Sequence, residues 1–151
     1  MKSLQVVLTL GLILLLISCT SNNDTSQNSG DVNYNLISAD TSIDQSIANQ
    51  AKKSISQRNA ITAVNAVNTN KKLIVAFEIE HNKRFQLADI NKEIQTKMEK
   101  EFPKMTVEVS SDKRLVLEIE KLEEKIDNQD VTKKKLKKEV DRLIKLSKDK
   151  T

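Results

Sequence analysis

The chain has 151 residues, with 25 Lys and Arg against 21 Asp and Glu, a formal net charge of +4. Two glycines and one proline are too few for an all-β fold built on tight turns, and a single cysteine excludes an internal disulfide. Tryptophan is absent and aromatics are scarce, which counts against stacking platforms for sugars or nucleobases.

Lys2 precedes an apolar run over residues 4–17, in which Gln5 is the only strongly polar member. The run has the length of a signal-peptide core and falls short of the ~20 apolar residues that span a bilayer. It closes on Leu16-Ile17-Ser18-Cys19, which resembles a bacterial lipobox: cleavage between Ser18 and Cys19, with Cys19 carrying the lipid. The alternative is an uncleaved membrane helix ending in a chance cysteine. Residues 1–18 are then a lipoprotein signal peptide, and the mature chain hangs from the extracytoplasmic face of the cell membrane. Each buried CH₂ contributes roughly 0.8 kcal/mol, so the two acyl chains of a diacylglycerol (a palmitate-type anchor) hold without a transmembrane helix.

Residues 19–38 are rich in Ser, Asn and Asp and read as the lipidated cysteine plus a flexible polar tether, spanning roughly 23 Å r.m.s.. Within it, Tyr34, Leu36 and Ile37 are available to dock on the domain. A first helix is expected from the N-cap cluster Asp40-Thr41-Ser42, with Ile43, Ile47, Ala51 and Ile55 as its apolar stripe and Gln45, Asn49, Lys52 and Lys53 facing away. Residues 61–68 read as a strand, 69–72 as a polar turn and 73–80 as a second strand, with Leu73, Val75, Phe77 and Ile79 on one face. After a loop at 81–86, Leu87, Ile90, Ile94, Met98 and Phe102 predict a helix that Pro103 limits. Residues 105–109 predict a third strand, Ser110-Ser111-Asp112 a turn and cap, and Leu115, Ile119, Leu122 and Ile126 a third helix.

The order α-β-β-α-β-α over residues 39–128 predicts an α+β fold: a small mixed three-stranded sheet with helices packed on one face. The opposite face would carry Glu78, Glu80 and Glu108. Residues 129–151 predict a basic amphipathic helix. From 131 to 151 the net charge is +6, whereas residues 19–130 sum to −3. One heptad register joins Leu115 to Leu143 across Asp127-Asn128-Gln129-Asp130, which reads either as one long helix or as two with a hinge.

Ala60-Ile61-Thr62-Ala63-Val64 leading into Leu73-Ile74-Val75-Ala76-Phe77, the Lys-rich second helix, and Val107-Glu108-Val109-Ser110-Ser111-Asp112 resemble the YhcN/YlaJ family of sporulation lipoproteins over residues 43–125. Where that family expects a glycine between the first helix and strand, Arg58-Asn59-Ala60 stands here. The layout also resembles ring-building domains that self-assemble through sheets and helices. The resemblance implies a spore-associated membrane lipoprotein affecting sporulation or germination, with a protein partner or self-assembly, and implies no reaction.

No nucleophile–base constellation, Gly-x-Ser-x-Gly elbow or phosphate-cradling glycine loop is present, so no enzyme, no metal site and no cofactor is expected. His81 lies in a charged loop without a His or Cys partner, and Glu123-Glu124 reads as a solvent face. Lys133, Lys134, Lys135, Lys137 and Lys138 are the candidate binding residues. They suit an anionic lipid surface or an acidic wall polymer, or equally a solvated helix face; location disfavours nucleic acid. The two functional expectations are a non-enzymatic structural or interaction component of the spore envelope, and a general cell-surface lipoprotein binding a wall polymer or small ligand.

Overall fold

The computed structural model describes residues 32–149. The lipobox residues Ser18 and Cys19 lie outside them. The elements are α1 (Ser46–Ser56), β1 (Ile61–Asn68), β2 (Lys72–Ile79), a 3₁₀ segment (His81–Gln86), α2 (Leu87–Glu101), β3 (Thr106–Ser110), α3 (Lys113–Asp127) and α4 (Lys133–Lys148).

β1 and β2 form the expected antiparallel hairpin, closed by a turn in which the Thr69 N–H donates to the Lys72 carbonyl at 2.8 Å. α2 returns the chain so that β3 runs parallel to β2, with Leu73 beside Val107 and Val75 beside Val109. The sheet order β1-β2-β3 is therefore mixed, and the class is α+β. The register of β1 shifts between Ile61 and Ala63, directly after the Arg58-Asn59-Ala60 connection.

Successive strand residues point to opposite faces. On one face Val64, Ala66, Leu73, Val75, Phe77, Val107 and Val109 pack against Ala48, Ala51 and Ile55 of α1 and Ile90, Ile94 and Met98 of α2. On the other, Val67, Ile74 and Ala76 pack against Leu115, Ile119, Leu122 and Ile126 of α3 and Leu136, Val140 and Leu143 of α4. Helices thus cover both faces, not one, and on the face expected to be acidic Val67, Ile74 and Ala76 lie under α3 and α4 while Glu78, Glu80 and Glu108 stay half-buried. The cause is visible in β2: Leu73 through Phe77 are all fully buried, an unbroken apolar run that needs cover on both sides.

Two boundaries also move. Residues 32–38, expected in the tether, belong to the packed domain. Asn33 bridges β1 in parallel beside Ala63, Tyr34 is buried in the first core and Ile37 in the second, and Asn49 exchanges two hydrogen bonds with the Ile37 backbone. α1 starts at Ser46 rather than near Asp40, with the Asp44 carboxylate accepting from the Ser46 N–H at 2.9 Å. Ile43 consequently leaves the helical stripe and enters the second core.

Side chains, with one backbone bridge, close both strand edges, where bare edges would invite pairing with another chain. On β1, the Asn33 backbone N–H donates to the Thr62 carbonyl and the Asn33 carbonyl accepts from the Val64 N–H, while the Glu123 carboxylate accepts from the Ala66 N–H and the Gln45 side-chain amide pairs with both backbone groups of Asn68. On β3, the Gln95 amide donates to the Val107 carbonyl at 3.0 Å and accepts from the Val109 N–H at 2.9 Å. Each glutamine presents a donor and an acceptor as a short piece of strand would.

Between α3 and α4 the chain breaks, resolving the alternative left by the heptad register. Gln129 sits at φ 57, in the left-handed region. Its N–H donates to the Ile126 carbonyl, and the Asp130 N–H to the Lys125 carbonyl, the paired bonds of a Schellman cap. That position favours glycine, because a Cβ is strained there. Gln129→Gly is expected to stabilise the fold by about 0.5–1 kcal/mol, read as a higher denaturant midpoint at unchanged slope.

Candidate functional site

The β1–β2 turn brings Lys71 and Lys72 to one end of the sheet. α4 begins at that same end because Thr132 caps it, its hydroxyl accepting from the Lys135 N–H. Burial of Leu136, Val140 and Leu143 fixes the roll of α4. Lys133, Lys134 and Lys137 then line a cleft of about 810 Å³ together with Lys71, Lys72, Asp44 and Asp141. Lys135 and Lys138 are exposed and lie outside the lining, since the 100° helical step carries them round to the outer side.

Lys72 Nζ lies 2.6 Å from Asp141 Oδ1, tying the sheet to α4 across the wall of the cleft. The Ser46 backbone N–H, and after it the Ser46 hydroxyl, hold Asp44 below the usual carboxylate value, so it stays ionised. Five lysines against two aspartates leave the cleft at +3. Ile43 and Leu136 supply its apolar floor. Lysine ammonium groups act as mobile point charges with three donors, suited to phosphate oxygens in varied orientations rather than to one planar fork. The arrangement can hold a multiply charged anion.

The remaining residues considered from sequence do not converge. His81 is exposed at the opposite end of the sheet. Glu78 lies in a groove with His81, Arg84 and Lys113, whereas Glu108 sits under α4 with Lys148 Nζ 3.8 Å away. Among the described residues, no group of three His, Cys, Asp or Glu side chains is arranged to hold a metal ion. Among them, too, no helix is long and apolar enough to cross a membrane.

Lys52 and Glu123, both expected to face solvent, are buried instead. Lys52 is fully enclosed and its Nζ lies 2.7 Å from Glu123 Oε1. Lys52 also donates to the Asn35 carbonyl. Glu123 accepts from the Ala66 N–H and from Asn65 Nδ2, both at 2.9 Å. α1 and α3 lie on opposite faces of the sheet, so this pair clasps the layers together around the β1 edge. Burial pushes the Glu123 carboxyl up from its usual value, and the Lys52 ammonium, followed by the two N–H donors, pulls it back. The signal in the sequence is one charge within each apolar stripe: Lys52 beside Ala48, Ala51 and Ile55, and Glu123 seven residues after Val116. Lys71 and Lys72 carry no such signal as cleft residues, because some sixty positions separate them from Lys133.

Ser110 and Asp112, carriers of the family resemblance, have a local task here. Ser110 Oγ accepts from the Asp112 N–H, and the Asp112 carboxylate caps α3 by accepting from the Arg114 N–H at 2.8 Å. No protein-family model, no curated protein and no solved structure matches the chain.

Proposed function

We propose that this is an extracytoplasmic lipoprotein, anchored through Cys19, that acts without catalysis as an interaction component of the spore envelope and binds phosphate-bearing polyanions in the lysine cleft. The observation that carries the binding reading is the convergence of Lys133, Lys134 and Lys137 on Lys71 and Lys72 from distant parts of the chain. A merely solubilising helix face has no need of that gathering. The motif Leu16-Ile17-Ser18-Cys19 supports the anchor, and the resemblance of the residue pattern to YhcN/YlaJ lipoproteins supports the sporulation setting.

Immunoblots of membrane and soluble fractions from growing cells and dormant spores, with a Cys19→Ala control, test the setting. The expected signal is confined to spore membranes and moves to the soluble fraction in the control. An equal signal in growing cells would instead make this a general surface lipoprotein. A membrane signal indifferent to Cys19 would sink the lipid anchor.

A further inference from the structure

The two ends of the sheet differ in chemistry, and the chain comes in at only one of them. Asn33 runs parallel to β1 beside Ala63, so residue 32 lies at the end that holds Ile61, Ile79 and the 3₁₀ segment. Phe85 in that segment is 80% exposed. Leu117, one turn into α3, is 55% exposed. α3 starts after β3 at this same end, and His81 and Arg84 line one groove with Ser111 and Lys113. Both large hydrophobic side chains exposed among the described residues are thus carried by elements that begin there. Around them Arg84, Lys113 and Arg114 are exposed cations and Lys83 a half-buried one; of the acids Asp89 is exposed, whereas Glu78, Glu80 and Asp112 are half-buried and Asp112 caps α3, so the exposed charge here is +2.

An aromatic ring flanked by cations is the side-chain set that settles at a bilayer interface, the ring among the headgroups and acyl ends and the cations on anionic lipid. Val32 follows Cys19 by thirteen positions, so a lipid on Cys19 holds this end close to the membrane. The lysine cleft lies at the other end, displaced by the length of β2, eight residues or roughly 23 Å. That exceeds two Debye lengths at physiological salt, about 8 Å each. Lysines so placed gain little from the bilayer.

We propose that the Phe85 end of the domain rests on the anionic membrane surface with the Phe85 ring inserted, and that the lysine cleft is turned outward toward a soluble or wall-borne phosphate polymer rather than lipid headgroups. This rests on the lipid-anchor reading above.

The chain lacks tryptophan, so single substitutions give unambiguous reporters. Phe85→Trp replaces an exposed ring with another, and Lys104→Trp labels an exposed position at the far end, two residues before Thr106, which pairs with Lys72. Each mature chain is reconstituted into phosphatidylglycerol vesicles containing brominated lipid. Emission from the Phe85→Trp variant is expected to shift to the blue and lose most of its intensity, while the Lys104→Trp signal stays that of a solvated indole. Phe85→Ser is expected to weaken vesicle partition of the unlipidated mature chain about tenfold. Quenching of the Lys104→Trp reporter alone, equal quenching of both, or quenching of neither overturns the orientation. Mass spectrometry of Cys19 in the same preparations reports on the anchor separately, so loss of the lipid and loss of the orientation are distinguishable.

Discussion

Lys52→Met is expected to cost about 3–5 kcal/mol of folding free energy at neutral pH, the usual consequence of stranding one partner of a buried ion pair. Glu123 would keep the Ala66 and Asn65 donors but lose the cation 2.7 Å away, in a site where it is only 5% exposed. The pH dependence follows from the direction of its shift. A carboxyl raised above its unfolded value contributes stability that is fully present below that unfolded value and is lost as pH rises through the folded one. In the wild type Lys52 limits the rise. Without Lys52 the rise is larger, so the destabilisation concentrates at neutral and alkaline pH and shrinks on acidification. Denaturant midpoints across pH measure it. Glu123→Gln placed in the Lys52→Met background should recover most of the loss, because the amide oxygen still accepts from Ala66 and no charge remains buried. A loss that is the same at every pH and untouched by Glu123→Gln would mean that the lysine stem acts by packing alone.

The second large effect is expected in binding. Replacing Lys133, Lys134 and Lys137 by Ala should weaken binding of a poly(glycerol phosphate) chain roughly 100-fold, at about 1 kcal/mol per lysine beside an anionic partner. Replacing Lys135 and Lys138 should change it by less than about threefold, since neither lines the cleft. Titrations at two salt concentrations make the comparison. If the outer pair lowers affinity as much per lysine as the cleft set, the binding is diffuse and α4 is a solvated basic face.

The elements themselves are legible in the sequence, because period-2 and period-3.6 spacing reports local geometry. β1, β2, α2 and β3 fall within a residue of their expected bounds, and α3 contains the expected stripe. The first helix departs from expectation at its start. Asp40, Thr41 and Ser42 are good caps, but Gln45 is drawn to the Asn68 backbone and Ile43 to the second core, which leaves the helix to begin at Ser46. The second sheet face departs for a related reason. Glu78, Glu80 and Glu108 suggest an open side, although the unbroken run Leu73-Ile74-Val75-Ala76-Phe77 already demands two covered faces. The amphipathic stripe of α4 then has only one place to bury itself.

By itself, the sequence determined the α+β class and the concentration of positive charge after residue 130, since each depends on neighbours along the chain. Only the tertiary structure decided that Lys52 meets Glu123, that Gln45 and Gln95 help close the sheet edges, and that three of the five candidate lysines share a cleft with Lys71 and Lys72. These are contacts across tens of residues. A charge in a helical stripe is read as solvated or buried only when its partner is known, and a helix shows which of its lysines converge only once packing has fixed its roll.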